Sequence, residues 1–259
     1  MKTNTKRVWG TLTMLLALYS ASLAAPKAPQ IEKEFAKQPP QAWGEHVTGV
    51  VTRVPVGGQK VVFLTFDTCG GPYGSEYDAR LIAYLCREII PATLFVNSRW
   101  INANPAVFAQ LARDPLFSVQ NHGTAHRPLS VTGRSAWKIA GTASPRQVYD
   151  EIMTCHTKIA ALTGKRPRFF RSGTAYYDDV AVKIAARLGY KIAGFDVLGD
   201  GGARFTAAQI VAAARRIRPG SIVIYHMNQP HKATCDGIMR VVPQLQAAGW
   251  RFAKLEEYI

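Results

Sequence analysis

The sequence predicts an α/β protein whose parallel strands curl into an incomplete relative of the eight-stranded barrel, with a doubly wound open sheet as the alternative. Two observations carry this. From Val61 onward, short runs of apolar, β-branched or aromatic residues alternate with segments of helical period. Polar side chains able to do chemistry fall just after several of those runs. Alternation of this kind requires parallel pairing through right-handed crossovers.

The predicted strands are Val61–Phe66, Ala92–Val96, Phe117–Val119, Phe169–Arg171, Lys191–Val197, Ser221–Tyr225 and Arg251–Lys254. Between them the helical period places helices at Tyr77–Arg87, Pro105–Arg113, Pro145–Leu162, Asp178–Leu188, Ala207–Ile217 and Gly237–Ala248. Leu188-Gly189 and Ala248-Gly249 read as glycine stops at helix ends. The stretch Arg127–Ala143 breaks the rhythm as a long Gly/Ser/Thr loop, a candidate lid or rim insertion.

The N-terminus reads as an address. Lys2, Lys6 and Arg7 precede a largely apolar Val8–Leu23, followed by small residues at Ser22-Leu23-Ala24-Ala25. That pattern predicts an export signal over residues 1–24, with cleavage after Ala24 or Ala25 both fitting. A retained anchor is the rival, opposed by Gly10, Thr11, Thr13 and Ser20 within the short apolar stretch. The predicted location is periplasmic or secreted, with no stable membrane anchor after signal removal. Residues 25–58, punctuated by Pro26, Pro29, Pro39 and Pro40, read as an arm or linker structured only near Trp43–Val51. Residues 59–259 are expected to form one catalytic domain.

The formal charge is +15, and loss of Lys2, Lys6 and Arg7 would leave +12. Such an excess favours anionic partners, an anionic glycan among them, or is simply a solvated basic surface. Without a recognisable binding motif, nucleic acid is not expected. Four cysteines (Cys69, Cys86, Cys155, Cys235) permit two disulfides in an oxidising compartment, Cys69–Cys235 across the site being one option.

Asp67 follows the first strand, His122 and His126 the third, Arg171 closes the fourth, Asp200 lies after the fifth and His226 closes the sixth. In a parallel barrel those carboxyl ends share one rim. His122-Gly-Thr-Ala-His126, placed on a helical turn, would present both imidazoles to one metal ion. Asp67 ends an apolar strand where an unpaired carboxylate is costly, so it needs a cation, a metal or a hydrogen-bonding network. Arg171 is expected to hold Asp67 ionised and Asp200 to hold Arg171. His226 is placed to protonate a leaving nitrogen.

The set Leu64-Thr-Phe-Asp67, Asn121-His122-Gly-Thr-Ala-His126, Phe170-Arg171, Asp200 and Ile224-Tyr-His226 resembles the polysaccharide deacetylase family (the NodB-homology domain, carbohydrate esterase family 4). The resemblance implies a distorted (β/α)7 barrel and one divalent metal ion, commonly zinc. It implies removal of acetyl groups from N-acetylated sugars of an envelope polysaccharide. By the same resemblance Asp67 is the base, His122 and His126 are metal ligands, with Asp67 counted among the metal residues too, and His226 is the acid. Arg171 orients Asp67, while the backbone near Thr174, with Tyr176, serves the oxyanion and substrate. The chain departs from the family in lacking the second Asp of its first motif, where Thr68 stands, followed by Cys69. Its fourth-strand motif reads Arg171-Ser-Gly-Thr-Ala-Tyr-Tyr, and Gly201 replaces a Trp after Asp200. These departures mark a divergent member, with another acyl or amide substrate, or a non-catalytic glycan-binding relic, as alternatives.

Overall fold

The computed structural model describes residues 25–259; the predicted export signal lies outside them. In chain order the elements are α1 (Ala28–Phe35), β1 (Trp43–Gly44), β2 (Val50–Val51), β3 (Val61–Thr68), α2 (Ala79–Arg87) and β4 (Ala92–Val96). There follow α3 (Ser98–Ala103), α4 (Pro105–Arg113), β5 (Phe117–Asn121), α5 (Pro145–Thr163), β6 (Phe169–Phe170), β7 (Tyr177–Asp178) and α6 (Asp179–Arg187). The chain closes with β8 (Lys191–Ala193), β9 (Val197–Leu198), α7 (Ala207–Ala214), β10 (Ile222–His226), α8 (Thr234–Ala247) and β11 (Arg251–Phe252).

The main sheet runs β2-β8-β6-β5-β4-β3-β10-β9, every pair parallel, with β11 added beside the start of β3. The path does not close, since β2 and β9 are its ends. It is the curled, distorted barrel sheet of a single α/β domain. Strand β3 explains why it forms. All eight of its residues are buried, and a continuous apolar run is what a parallel strand covered on both faces requires. Val62, Leu64 and Phe66 pack outward in the cluster that includes helix α2 and α8 residues. Val61 and Phe63 pack inward with Phe95, Phe169 and Ile222. Side chains alternate with period two, so Thr65 and Asp67 continue the inward row up to the rim.

The arm is more integrated than its proline-rich composition suggests. Residues 28–35 form helix α1, and Ile31 and Phe35 share a core cluster with Val148 and Ile152 of α5. Strand β2 then joins the sheet beside β8. Hydrophobic burial of one short face overrides the weak local signal. The predicted strand Lys191–Val197 divides into β8 and β9, the Arg171 guanidinium taking the carbonyls of Ala193 and Gly194 at the break. The Arg127–Ala143 insertion stays irregular but is pinned by bridges Leu129↔Tyr177 and Ala136↔Ile139.

All four cysteines are unpaired, so the expected disulfides are corrected. Cys69 lies in the loop after β3, whereas Cys235 is buried at the start of α8 with its sulfur beside Met239 Sδ. No helix among the described residues is long and apolar enough to cross a membrane.

Candidate active site

Asp67 sits at the inward rim of β3, 2% exposed. Its Oδ1 accepts from the Arg171 guanidinium at 2.8 Å. Arg171 is fully buried and also donates to Thr65 Oγ1 and to the carbonyls of Ala193 and Gly194. It lies over the Phe95 ring at 4.3 Å. The fork of fixed donors therefore holds one carboxylate oxygen in place. The other oxygen, Oδ2, lies 3.7 Å from His122 Nε2.

His122 and His126 do come together, with ring centroids 5.0 Å apart, but not on a helical turn. Residues 123–126 form a tight loop after β5 with positive φ at Gly123 (81°) and His126 (61°). The buried Glu151 carboxylate on α5 organises it, accepting from the backbone N–H groups of Thr124, Ala125 and Arg127. Burial pushes the Glu151 carboxyl up, only partly offset by those bonds and by His126. His122 Nδ1–H donates to the Arg171 carbonyl at 3.0 Å, which leaves Nε2 as the open lone pair.

The third donor is Cys69. Its sulfur and donor nitrogens of His122 and His126 all lie within 4.8 Å of one another. Both Nε2 atoms are buried without a hydrogen-bond partner among the described residues. An orphaned pair of imidazole nitrogens beside a thiol fits a divalent ion, which takes N and S ligands at about 2.0–2.3 Å. Burial opposes ionisation of Cys69, yet the neighbouring His126, His122 and His226 imidazoles outweigh it. Its thiol lies well below the ordinary thiol range. Cys235, by contrast, is pushed up to about 11, chiefly by burial. Thr68 stands apart, fully buried with its hydroxyl toward the Phe95 carbonyl at 3.5 Å.

On the neighbouring strand β10, where His226 is the register partner of Asp67, His226 Nδ1 meets Asp200 Oδ1 at 3.0 Å. Asp200 Oδ2 accepts from the His226 backbone N–H at 2.7 Å and from the Thr234 hydroxyl at 3.0 Å. Asp200 thus holds His226 and not Arg171, which corrects the sequence expectation. Burial opposes the His226 charge, but Asp200, then Cys69, outweigh it and raise its pKa well above the usual imidazole value. Asp200 is correspondingly lowered, its burial being outweighed by His226.

Asp67, His126 and His226 open on one cavity of about 350 Å³, also lined by Thr174, Trp137 and Arg204. Thr174 is therefore where the sequence put it. Tyr176 is not part of that lining; its ring packs between Trp43 (5.7 Å) and Trp137 (6.0 Å).

The polysaccharide deacetylase family model matches residues 55–193, more than half of the chain. The chain belongs to the polysaccharide deacetylase family. No curated protein sequence matches it. Among solved structures it is similar to a family 4 carbohydrate esterase pseudoenzyme from Bacillus anthracis. That match has 23% identity and TM-score 0.67, and it covers 80% of this chain and 68% of that one. It is also similar to a Bacillus subtilis family 4 carbohydrate esterase, PdaA, with 18% identity and TM-score 0.65, covering 81% and 84%. A peptidoglycan N-acetylglucosamine deacetylase gives TM-score 0.68 at 20% identity, covering 82% and 92%. At these identities the likeness is one of fold.

Within this chain, the family match takes in Asp67, Cys69, both histidines and Arg171 but ends before Asp200 and His226. Sequence reasoning named Cys69 only as an open substitute and missed Glu151 altogether. Glu151 lies mid-helix among residues of ordinary polar character, and nothing in its local pattern signals a carboxylate turned toward a loop nearly thirty residues upstream. Cys69 lies beyond the strand, where side-chain alternation no longer fixes direction.

Proposed function

We propose that this chain is an exported, metal-dependent amidase removing acetyl groups from N-acetylated sugars of an envelope polysaccharide. One observation carries the reading. A carboxylate with one oxygen held by arginine, the His126 member of a three-donor Cys/His/His cluster and a carboxylate-backed imidazole all border a single cavity. Cys69, His122 and His126 would hold the ion, and that donor set suits zinc. Such an ion would lower the pKa of a water and polarise the scissile carbonyl.

The chain's own residues supply the proton traffic. Asp67, oriented by its bond from Arg171, takes the proton from the attacking water. His226, kept protonated by Asp200, gives one to the departing nitrogen, which would otherwise leave as a high-energy amide anion. The two roles fall on paired strands, with His226 beside Asp67 in register, so base and acid flank the same reaction centre.

A non-catalytic relic is the second reading, favoured by Thr68 in place of the family's second carboxylate. The test joins two readouts, metal content and acetate release from N-acetylated glycans. The wild type should carry about one divalent ion per chain and release acetate. Cys69→Ala should lose the ion. His226→Ala should keep it while turnover falls roughly 10²-fold or more. Metal-loaded wild type that releases no acetate from any glycan tested removes the amidase reading in favour of the relic.

A further inference from the structure

The insertion between β5 and α5 ends in a two-residue hairpin turn. Ala136 and Ile139 exchange both backbone hydrogen bonds, at 3.1 and 2.8 Å. The central residues, Trp137 (φ 52°) and Lys138 (φ 64°), are both left-handed. Turns of this kind ordinarily use Asn-Gly, because other side chains are strained there. Here the first position carries a tryptophan that is 65% exposed. Strain of this sort persists where the surroundings over-determine it, and they do. Thr142 accepts from the Ser130 N–H and donates to its carbonyl, while Arg127 donates to the carbonyls of Ala140 and Gly141. The loop is a built scaffold that presents one large ring.

That ring lines the same cavity as Asp67 and His226. Outward from it, the edge of Trp137 meets Tyr176 at 90°, Tyr176 packs on Trp43, and the Arg134 guanidinium lies 5.0 Å over Trp43. Three aromatic side chains thus lead away from the reacting groups, with basic Arg134 beyond them. The apolar C–H faces of pyranose rings stack on such surfaces while their hydroxyls stay in water.

We propose that Trp137 is the platform for a sugar ring adjacent to the one deacetylated. Tyr176 and Trp43 continue the track, so the substrate is a glycan chain and not a single sugar. The proposal rests on the glycan reading above, and the experiment separates the two. N-acetylglucosamine and its oligomers of increasing length are titrated calorimetrically into chelator-treated full chain, so that binding is read without turnover. Acetate release is measured separately on metal-loaded protein.

Wild-type affinity should rise with length. Trp137→Ala should weaken binding of the longest oligomer roughly tenfold and flatten the dependence on length. Trp137→Asn removes the ring but suits the left-handed turn, so it should weaken binding equally. Its unfolding midpoint should rise by about 2–4 °C, which shows the hairpin intact. Wild-type affinity independent of length, or unchanged binding of the long oligomer in either variant, overturns the platform. Length-dependent binding lost in both variants, with no acetate released by the wild type, leaves the platform standing and removes only the hydrolase.

Discussion

Two adjoining walls of the cleft, built on the paired strands β3 and β10, solve one electrostatic problem in opposite ways. Each buries a carboxylate against a cation, Asp67 with Arg171 at 2.8 Å and Asp200 with His226 at 3.0 Å. On the first wall the carboxylate is the reagent and its holder is a guanidinium that never deprotonates near neutral pH. On the second the titratable imidazole is the reagent and the carboxylate is the holder. Depth follows the role. Both holders, Arg171 and Asp200, are fully buried, while His226 is the more exposed member of its pair. A group that must exchange a proton has to reach the cavity; a group that only sets a charge does not.

Breaking the first wall should give the largest effect. Arg171→Met removes the guanidinium bonded to Asp67 and leaves a buried carboxylate beside orphaned carbonyls, a loss of about 3–5 kcal/mol. Activity should fall with it, because Asp67 loses the bond that orients it. Adding Asp67→Asn should recover a large part of the stability and none of the activity, since removing both charges is far cheaper than removing one. Denaturant unfolding of the single and double variants checks this. Equal stability of the two would mean that the arginine acts through its carbonyl bonds and not its charge.

Breaking the second wall should cost less and show itself in pH dependence. Asp200→Asn keeps acceptors for the His226 N–H and the Thr234 hydroxyl but removes the charge. His226, raised in the folded protein, contributes stability that is present below its unfolded pKa and is lost as pH climbs through the folded value. Asp200, lowered when folded, contributes above its unfolded pKa and loses that contribution as pH falls through its folded value. The difference between wild type and Asp200→Asn should therefore be greatest between roughly pH 4 and 6.5, shrinking on either side. The alkaline limb of the pH–rate profile should move to lower pH in the variant, because His226 no longer keeps its proton. A limb that stays in place separates His226 from the acid step.

These walls differ too in how far they were legible in the sequence. β3 declared itself as a largely apolar run, and Asp67 stood out as the carboxylate ending it. Arg171 closing another strand was then the natural partner, and the structure brings the two into contact. The partner of Asp200 could not be read the same way. It lies in a turn, 26 residues from His226, where neither period nor strand register fixes direction. Helix α1 was hidden for a related reason. Its buried face is only Ala28, Ile31 and Phe35, too short a stripe to stand out among prolines and charges until α5 is there to cover it.

The smallest expected effect concerns a residue that touches neither wall directly. Glu151 fixes the 123–126 loop through three backbone N–H groups, and Ala125 uses both of its oxygens. Glu151→Gln keeps the volume and one acceptor but turns a second acceptor into a donor facing the same amides. At least one of those bonds must be lost, costing about 1 kcal/mol in stability. The consequence for the site should exceed the consequence for the fold, because His126 is carried by that loop and Cys69 and His122 are not. Metal affinity, measured by competition with a chromogenic chelator, should drop about tenfold, as when a residue supporting a ligand is altered. Glu151→Ala should drop it further, while far-ultraviolet circular dichroism stays native. Unchanged affinity in both variants would mean that the loop's shape does not depend on the carboxylate beneath it.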